Sequence, residues 1–253
     1  EDVAAEFIEI HNTSQSSVNL EGYRLDNAVD YLFGGVVIAA DGRIVVAADL
    51  TQFNSNHPDV VDVVGPWDGK LRNSGERILL VNPDGDKVDE VRFADEGDWA
   101  IRARGPNDRG HQGWVWLADH DGEGKSLELI NPFLTNNNGQ NWGSAVIDGG
   151  TPGEINSISS VNIAPIIKGL RHRPRIPRSD EMVSVRCELR DEGSLAEVTA
   201  RLFWRVDGSD NFSAVLMDFD GDDGFSADIP PQDDGSIIEF FVDAADGANS
   251  RSW

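Results

Sequence analysis

"GPWDGKLRNSGERILLVN", residues 65–82, decides how the rest of the chain is read. Three glycines, a tryptophan and an Asn-Ser-Gly turn lead into an apolar run. An active-site loop and a turn-plus-strand of a β framework both draw on such residues. Local chemistry favours the framework. Gly65, Gly69 and Gly75 supply backbone angles that other residues avoid. Trp67 is large enough to cap one end of a sandwich core. Ile78, Leu79, Leu80 and Val81 read as a strand buried on both faces. Glu76 and Arg77 could pair on the surface, where such a pair contributes little.

The same pattern extends outward in both directions. "EFIEIHN" (6–12), "VNLEGYRLDN" (18–27), "RIVVAAD" (43–49), "KVDEVRF" (87–93) and "SLELIN" (126–131) are short runs that end at Gly, Asn, Asp or Pro. "NPDGDK" (82–87) predicts a tight hairpin, and "LTQFNSNHP" (50–58) a single short helix. Many short strands separated by turn signals specify a sandwich or barrel. The text changes at "GGTPGEINSISSVN" (149–162), which is rich in Gly, Ser and Asn. A second set of strands follows, in the order 161–171, 182–190, 197–207, 212–218, 224–229 and 237–243. The boundary is placed at residue 156, giving domains 1–156 and 157–253.

The 253 residues carry a formal net charge of -24 and a sequence pI near 4.3. Eleven bases stand against 27 acids up to residue 156, and 10 against 18 after it. Such a surface repels phosphate backbones, so no nucleic acid is expected as partner, and it attracts divalent cations. The lone cysteine, Cys187, lies in an alternating run and reads as a buried strand thiol. No apolar run approaches the roughly 20 residues of a membrane helix, so no membrane insertion is expected. The chain opens on strand-like text and reads as a piece of a longer protein.

Five blocks of residues 4–156 together resemble a bacterial lamin-tail domain. They are "AEFIEIHNTSQSSVNLEGYRLDN", "GRIVVAAD", "GPWDGKLRNSGERILLVNPDGDKVDEVRF", "SLELINPFLTNNNGQNWGS" and "GGTPGEIN". The resemblance implies an immunoglobulin-like β-sandwich and brings no catalytic residues with it. Such domains occur beside secreted hydrolases, nucleases and spore-coat-kinase-like domains, which implies an accessory role. "LRDEGSLAEVTARLFWRVDG", "MDFDGDDGFSADIP" and "IIEFFVDAADG" look like a second sandwich of the immunoglobulin or fibronectin type III sort, with Trp204 facing the partner sheet. The fold class expected is all-β, two tandem immunoglobulin-like β-sandwiches.

Candidate chemistry is sparse. "DGEGKS" (121–126) ends like a phosphate loop, but the position that needs glycine is Asp119, and a strand follows instead of a helix. No two histidines have metal-motif spacing. "MDFDGDDGF" (217–225) begins like a calcium loop, yet Asp223 and Ile229 stand where an EF-hand needs Gly and Glu. A hairpin turn accounts for it as well. Antiparallel strand order nevertheless gathers Asp191, Glu192, Asp220, Asp222, Asp223 and Asp246 at one end of the second sandwich. Domain 1 is expected at that end too. Clustered carboxylates repel unless neutralised, so Ca²⁺ is the one cofactor considered.

The stretch "KGLRHRPRIPR" (168–178) holds five of the second domain's ten bases. It reads either as a solvated connection or, through Arg171, Arg173 and Arg175, as a contact for an acidic partner. A possible ligand surface is Trp114, Trp116, Asn137 and Trp142, since indoles stack on sugars and amides meet hydroxyls. Core packing and turn capping explain the same residues. The expected function is non-catalytic: an adhesion, scaffolding or targeting segment of a larger secreted or cell-surface bacterial protein. Its partners would be other domains of that protein, a surface protein or a glycan. The rivals are a carbohydrate-binding module and an accessory part of a metal-dependent secreted hydrolase.

Overall fold

The computed structural model describes residues 2–108 and 111–253, and the side chains of these except 108, 111, 112 and 114. The chain is all-β and forms two compact units, Glu1–Ser160 and Val161–Trp253.

In the first unit, Arg43–Ala47 is the centre of a three-stranded sheet, antiparallel to Phe7–His11 and parallel to Val63–Val64. Its side chains alternate between two faces. Ile44 and Val46 enter the main core with Leu20, Leu25, Val29, Phe33 and Trp67. Val45 and Ala47 face the other way, against Phe53 of the helix Leu50–Asn56. Asp49 starts that helix by accepting a hydrogen bond from the Gln52 backbone N–H at 2.9 Å. Pro58 follows its C-cap, His57, where a helix cannot continue.

The facing sheet has five strands in the order Lys87–Phe93, Glu76–Val81, Arg24–Asn27, Val29–Leu32 and Asp68–Gly69. Trp67 is buried, as a core cap should be. Glu76–Val81 differs from the expectation of two buried faces: only Leu80 is buried, because the core lies on one side of the sheet. Glu76 and Arg77 do not pair either. Neighbours along a strand point to opposite faces, so Arg72 takes Glu76 at 3.4 Å and Glu90 takes Arg77 at 2.9 Å. Gly75 sits at φ 100°, where a Cβ would lie 2.3 Å from the Phe93 carbonyl oxygen, so no other residue fits. The hairpin Ile101–Asp108 with His111–Leu117 and the short pair Leu127–Leu129 with Trp142–Ser144 complete the unit's longer pairings.

The second unit is a sandwich of two four-stranded sheets. One has the order Ile166–Arg173, Val183–Arg190, Gly224–Ile229, Asp218–Phe219. The other has Ser213–Leu216, Thr199–Val206, Ile238–Ala245, Ser250–Ser252. Val185, Cys187 and Leu189 project inward from the first sheet, and Ala200, Leu202, Val242 and Ala244 from the second. Each fully buried valine or leucine here contributes roughly 1.5–3 kcal/mol. Residues 212–218, read from the sequence as one strand, change sheets at buried Met217. Ser213–Leu216 pairs with Thr199–Val206, while Asp218–Phe219 pairs with Gly224–Ile229. Trp204 packs on the edge of this core rather than within it.

Cys187 is fully buried, and burial pushes its thiol up to about 11. A thiol reagent at pH 8 should therefore leave the native chain unlabelled and react stoichiometrically once denaturant is added. Fast labelling of the native chain would contradict this core.

Candidate functional site

The six acids expected at one end of the second unit divide into two groups. Asp191 and Glu192 follow the strand Val183–Arg190, Asp246 follows Ile238–Ala245, and one oxygen of each lies within 4.8 Å of the others. Backbone donors hold them there. Gly193 N–H donates to Asp191 at 2.9 Å, Ile163 N–H to Glu192 at 2.8 Å, and Ala248 and Asn249 N–H to Asp246 at 2.7 and 2.6 Å. The Asn249 N–H keeps the Asp246 carboxyl below the usual range, so it stays ionised. The Oδ1 of Asp191 is buried with no hydrogen-bond partner.

The other three are placed elsewhere by their own turn. Asp220 accepts the N–H of Asp222 and of Gly224 at 3.1 and 3.0 Å and pairs with Arg186 at 2.5 Å. Asp223 pairs with Arg190 at 2.7 Å. Asp222 supplies its backbone to this turn. Residues 220–224 thus form an aspartate-capped hairpin whose charge is met by arginines of the next strand, and they are not among the converging carboxylates.

The Asn-rich stretch is a strap. Asn136 donates to Asp89 at 2.7 Å, and Asn137 accepts from the Arg92 N–H at 2.9 Å. Fully buried Asn141 donates to the carbonyls of Asn131 and Thr135 and accepts from the Asn131 N–H. Trp142 donates to the Asn136 carbonyl at 2.6 Å and packs on Trp99, ring centres 5.9 Å apart. A Cβ on Gly139 would lie 2.5 Å from the Asp98 carbonyl carbon, so the strap can close only over glycine. Asn137 and Trp142 are therefore engaged by the fold. Trp116 is exposed and borders an open cleft of about 710 Å³ with Asp95, Glu96 and Asp121, whereas the Trp114 side chain lies outside the described residues. Among the described side chains, Asn137 and Trp142 are held in the strap and Trp116 lies at the cleft.

One cluster goes unmarked in the sequence. Glu128 is only 4% exposed and accepts the hydroxyls of Thr151 and Ser157, each at 2.7 Å. Nearby, Glu9 accepts the Gly153 N–H at 2.6 Å and faces Arg43 at 3.5 Å. Burial pushes the Glu9 carboxyl up to about 7, against the lowering effects of Gly153 and Arg43, with Glu128 adding to the rise. Strand alternation gives no sign of this. Glu128 stands between two leucines in "LEL" and reads as an outward-facing residue.

The raised Glu9 value sets a sign for stability. The folded state holds its proton up to about pH 7, the unfolded state only to about 4.5, so the stabilisation is complete below 4.5 and lost as pH rises through 7. The difference amounts to at most about 3 kcal/mol. Burial lowers the His57 imidazole, which works in the opposite sense over part of the same window. Comparison with Glu9→Gln isolates the carboxyl. Denaturant unfolding should show the variant gaining on the parent between pH 5 and 7.5, and parallel pH profiles would contradict the assignment.

Residues 1–95 match the family model described as the Lamin Tail Domain. No curated protein matches the chain. The match stops short of the compact unit it begins, which runs on to Ser160 and includes the strap and the Glu128 cluster. Residues 1–95 thus match the lamin tail domain, whose fold is immunoglobulin-like, and a further segment completes the compact unit they begin.

Proposed function

We propose that the chain is a non-catalytic adhesion, scaffolding or targeting segment of a larger secreted or surface-attached bacterial protein. One observation carries this. Four buried polar residues of the first unit, Glu128, Asn131, Gln140 and Asn141, are bonded to the unit's own loops. Side chains committed in this way hold a framework, and a framework of this kind works by the loops and faces it displays. The immunoglobulin-like fold of the lamin tail domain is consistent with it.

The catalytic rival has one feature in its favour: Glu9 is poised near neutrality beside Arg43, as a general base would be. The chain should produce no turnover of p-nitrophenyl acetate or bis(p-nitrophenyl) phosphate above buffer, with or without Ca²⁺, Mg²⁺, Mn²⁺ or Zn²⁺. Turnover that disappears in Glu9→Gln would overturn the non-catalytic reading.

A Ca²⁺ on Asp191, Glu192 and Asp246 is the cation component of the proposal. Their mutual approach and the unbonded Asp191 oxygen support it. Ca²⁺ takes about six to eight oxygens, so backbone carbonyls or water would complete the shell. An ion bound only to the folded state raises the melting point. Melting in millimolar Ca²⁺ should exceed melting in EDTA, and Asp246→Asn should abolish the difference. Identical curves for the parent would remove the ion from the account.

A further inference from the structure

Two groups stand out among the ten bases of the second unit. Arg171, Arg186, Arg190 and Arg205 each hold a carboxylate within 3.6 Å. Arg173, Arg175 and Arg178 are exposed and, among the described residues, make no ion pair. These three stand within "RPRIPR" (173–178), in a chain of net charge -24. Their guanidiniums stay out of ion pairs although the chain has carboxylates to spare, and among the described residues only the backbone N–H of Arg178 meets one, that of Glu181 at 2.9 Å. Pro174 and Pro177 restrict the backbone of the stretch and reduce the entropy lost when it is held in one shape. Ile176, at its centre, is 89% exposed. The stretch therefore presents an apolar side chain flanked by cations.

Protection of a sheet edge does not account for it. Ile166–Arg173 is an edge strand, and Lys168 and the irregularity between Lys168 and Arg171 already guard that edge. Arg175, Ile176 and Arg178 lie beyond the end of the strand, where there is no ladder to protect.

We propose that the arch formed by residues 173–178 is a docking surface for a short acidic segment of a partner polypeptide, one that carries an apolar residue among its carboxylates. The guanidiniums match carboxylates in pairs, and Ile176 receives the apolar residue. The surroundings set the length of the ligand. Glu181, Asp233 and Asp234 line a cavity of about 250 Å³ bordered by Arg178. A long polyanion such as duplex DNA or heparin would run past the arginines onto these acids and be repelled, whereas a short segment can seat on Arg173, Arg175 and Ile176 at the far side of Arg178 from them. The inference rests on the chain being a binding module, but its test reads binding and leaves the turnover test independent.

The probe is a fluorescein-labelled peptide of two Glu-Glu-Leu-Glu-Glu repeats, titrated with the full chain and followed by anisotropy. Saturable binding is expected at low ionic strength, weakening as salt is raised. The triple variant Arg173→Ser, Arg175→Ser, Arg178→Ser should bind at least about tenfold more weakly, with an unchanged melting point. Arg201→Ser, an exposed arginine of the other sheet, should bind like the parent. Replacing the three arginines with lysine should retain part of the affinity. Four results would overturn the proposal: no binding by the parent, equal binding by the triple-serine variant, preference for heparin or duplex DNA over the peptide, or self-association of the chain that the triple-serine variant abolishes.

Discussion

A carboxylate that folding takes out of water must be bonded by the protein or it destabilises the fold by several kcal/mol. Glu128 is such a group, and much of the first unit depends on how its requirement is met. Thr151 and Ser157 reach it from the closing segment, and Ser126, just before its strand, lies 3.5 Å away. Asn156 donates to the Leu129 carbonyl and the Ser160 N–H to that of Ile130, so the segment is bonded along its length to the strand that carries Glu128. The Glu9–Gly153 hydrogen bond then ties that segment to the first strand of the sandwich. Residues 126–160 are in this sense part of the domain, although the lamin tail match ends before them.

The same economy governs the surface charge. Acids outnumber bases by more than two to one, yet most carboxylates that matter structurally are held by a backbone N–H or by an arginine of the adjacent strand. Glu90 is the clearest case. Arg77 and Arg92 both donate to it, and together they hold its carboxyl down at about 2. Being at the surface, these pairs do more to fix geometry than to stabilise it. Two features stand apart from the pattern. Three carboxylates converge with one oxygen unbonded, and a run of arginines makes no ion pair among the described residues. Both belong to the second unit, whose sandwich otherwise follows simple alternation.

Alternation made the fold legible in the sequence. "VSVRCELR" and "TARLFWRV" state which side chains face inward, and Trp67 with the glycines around it marks the first core. Legibility failed where a residue's role depends on something distant in sequence. Residues 212–218 alternate as one strand, but burial of Met217 makes the chain change sheets there. Glu128 alternates as an outward residue, but hydroxyls more than twenty positions away make it an inward one. Six acids share an end of the sandwich by strand order, but Arg186 and Arg190 draw two of them aside, and strand order says nothing of such pairing.

The central claim is that residues 126–160 close the first unit through buried polar bonds and belong to its cooperative core. Hydrogen exchange of the native chain, followed by mass spectrometry, tests it most directly. The account predicts that the amides of Ala145, Ile130 and Ser160 exchange as slowly as those of Arg43–Ala47, because the same unfolding event exposes both. Exchange of 126–160 at the rate of the exposed turns, while Arg43–Ala47 stays protected, would contradict it and reduce that segment to an appendage of the lamin tail fold.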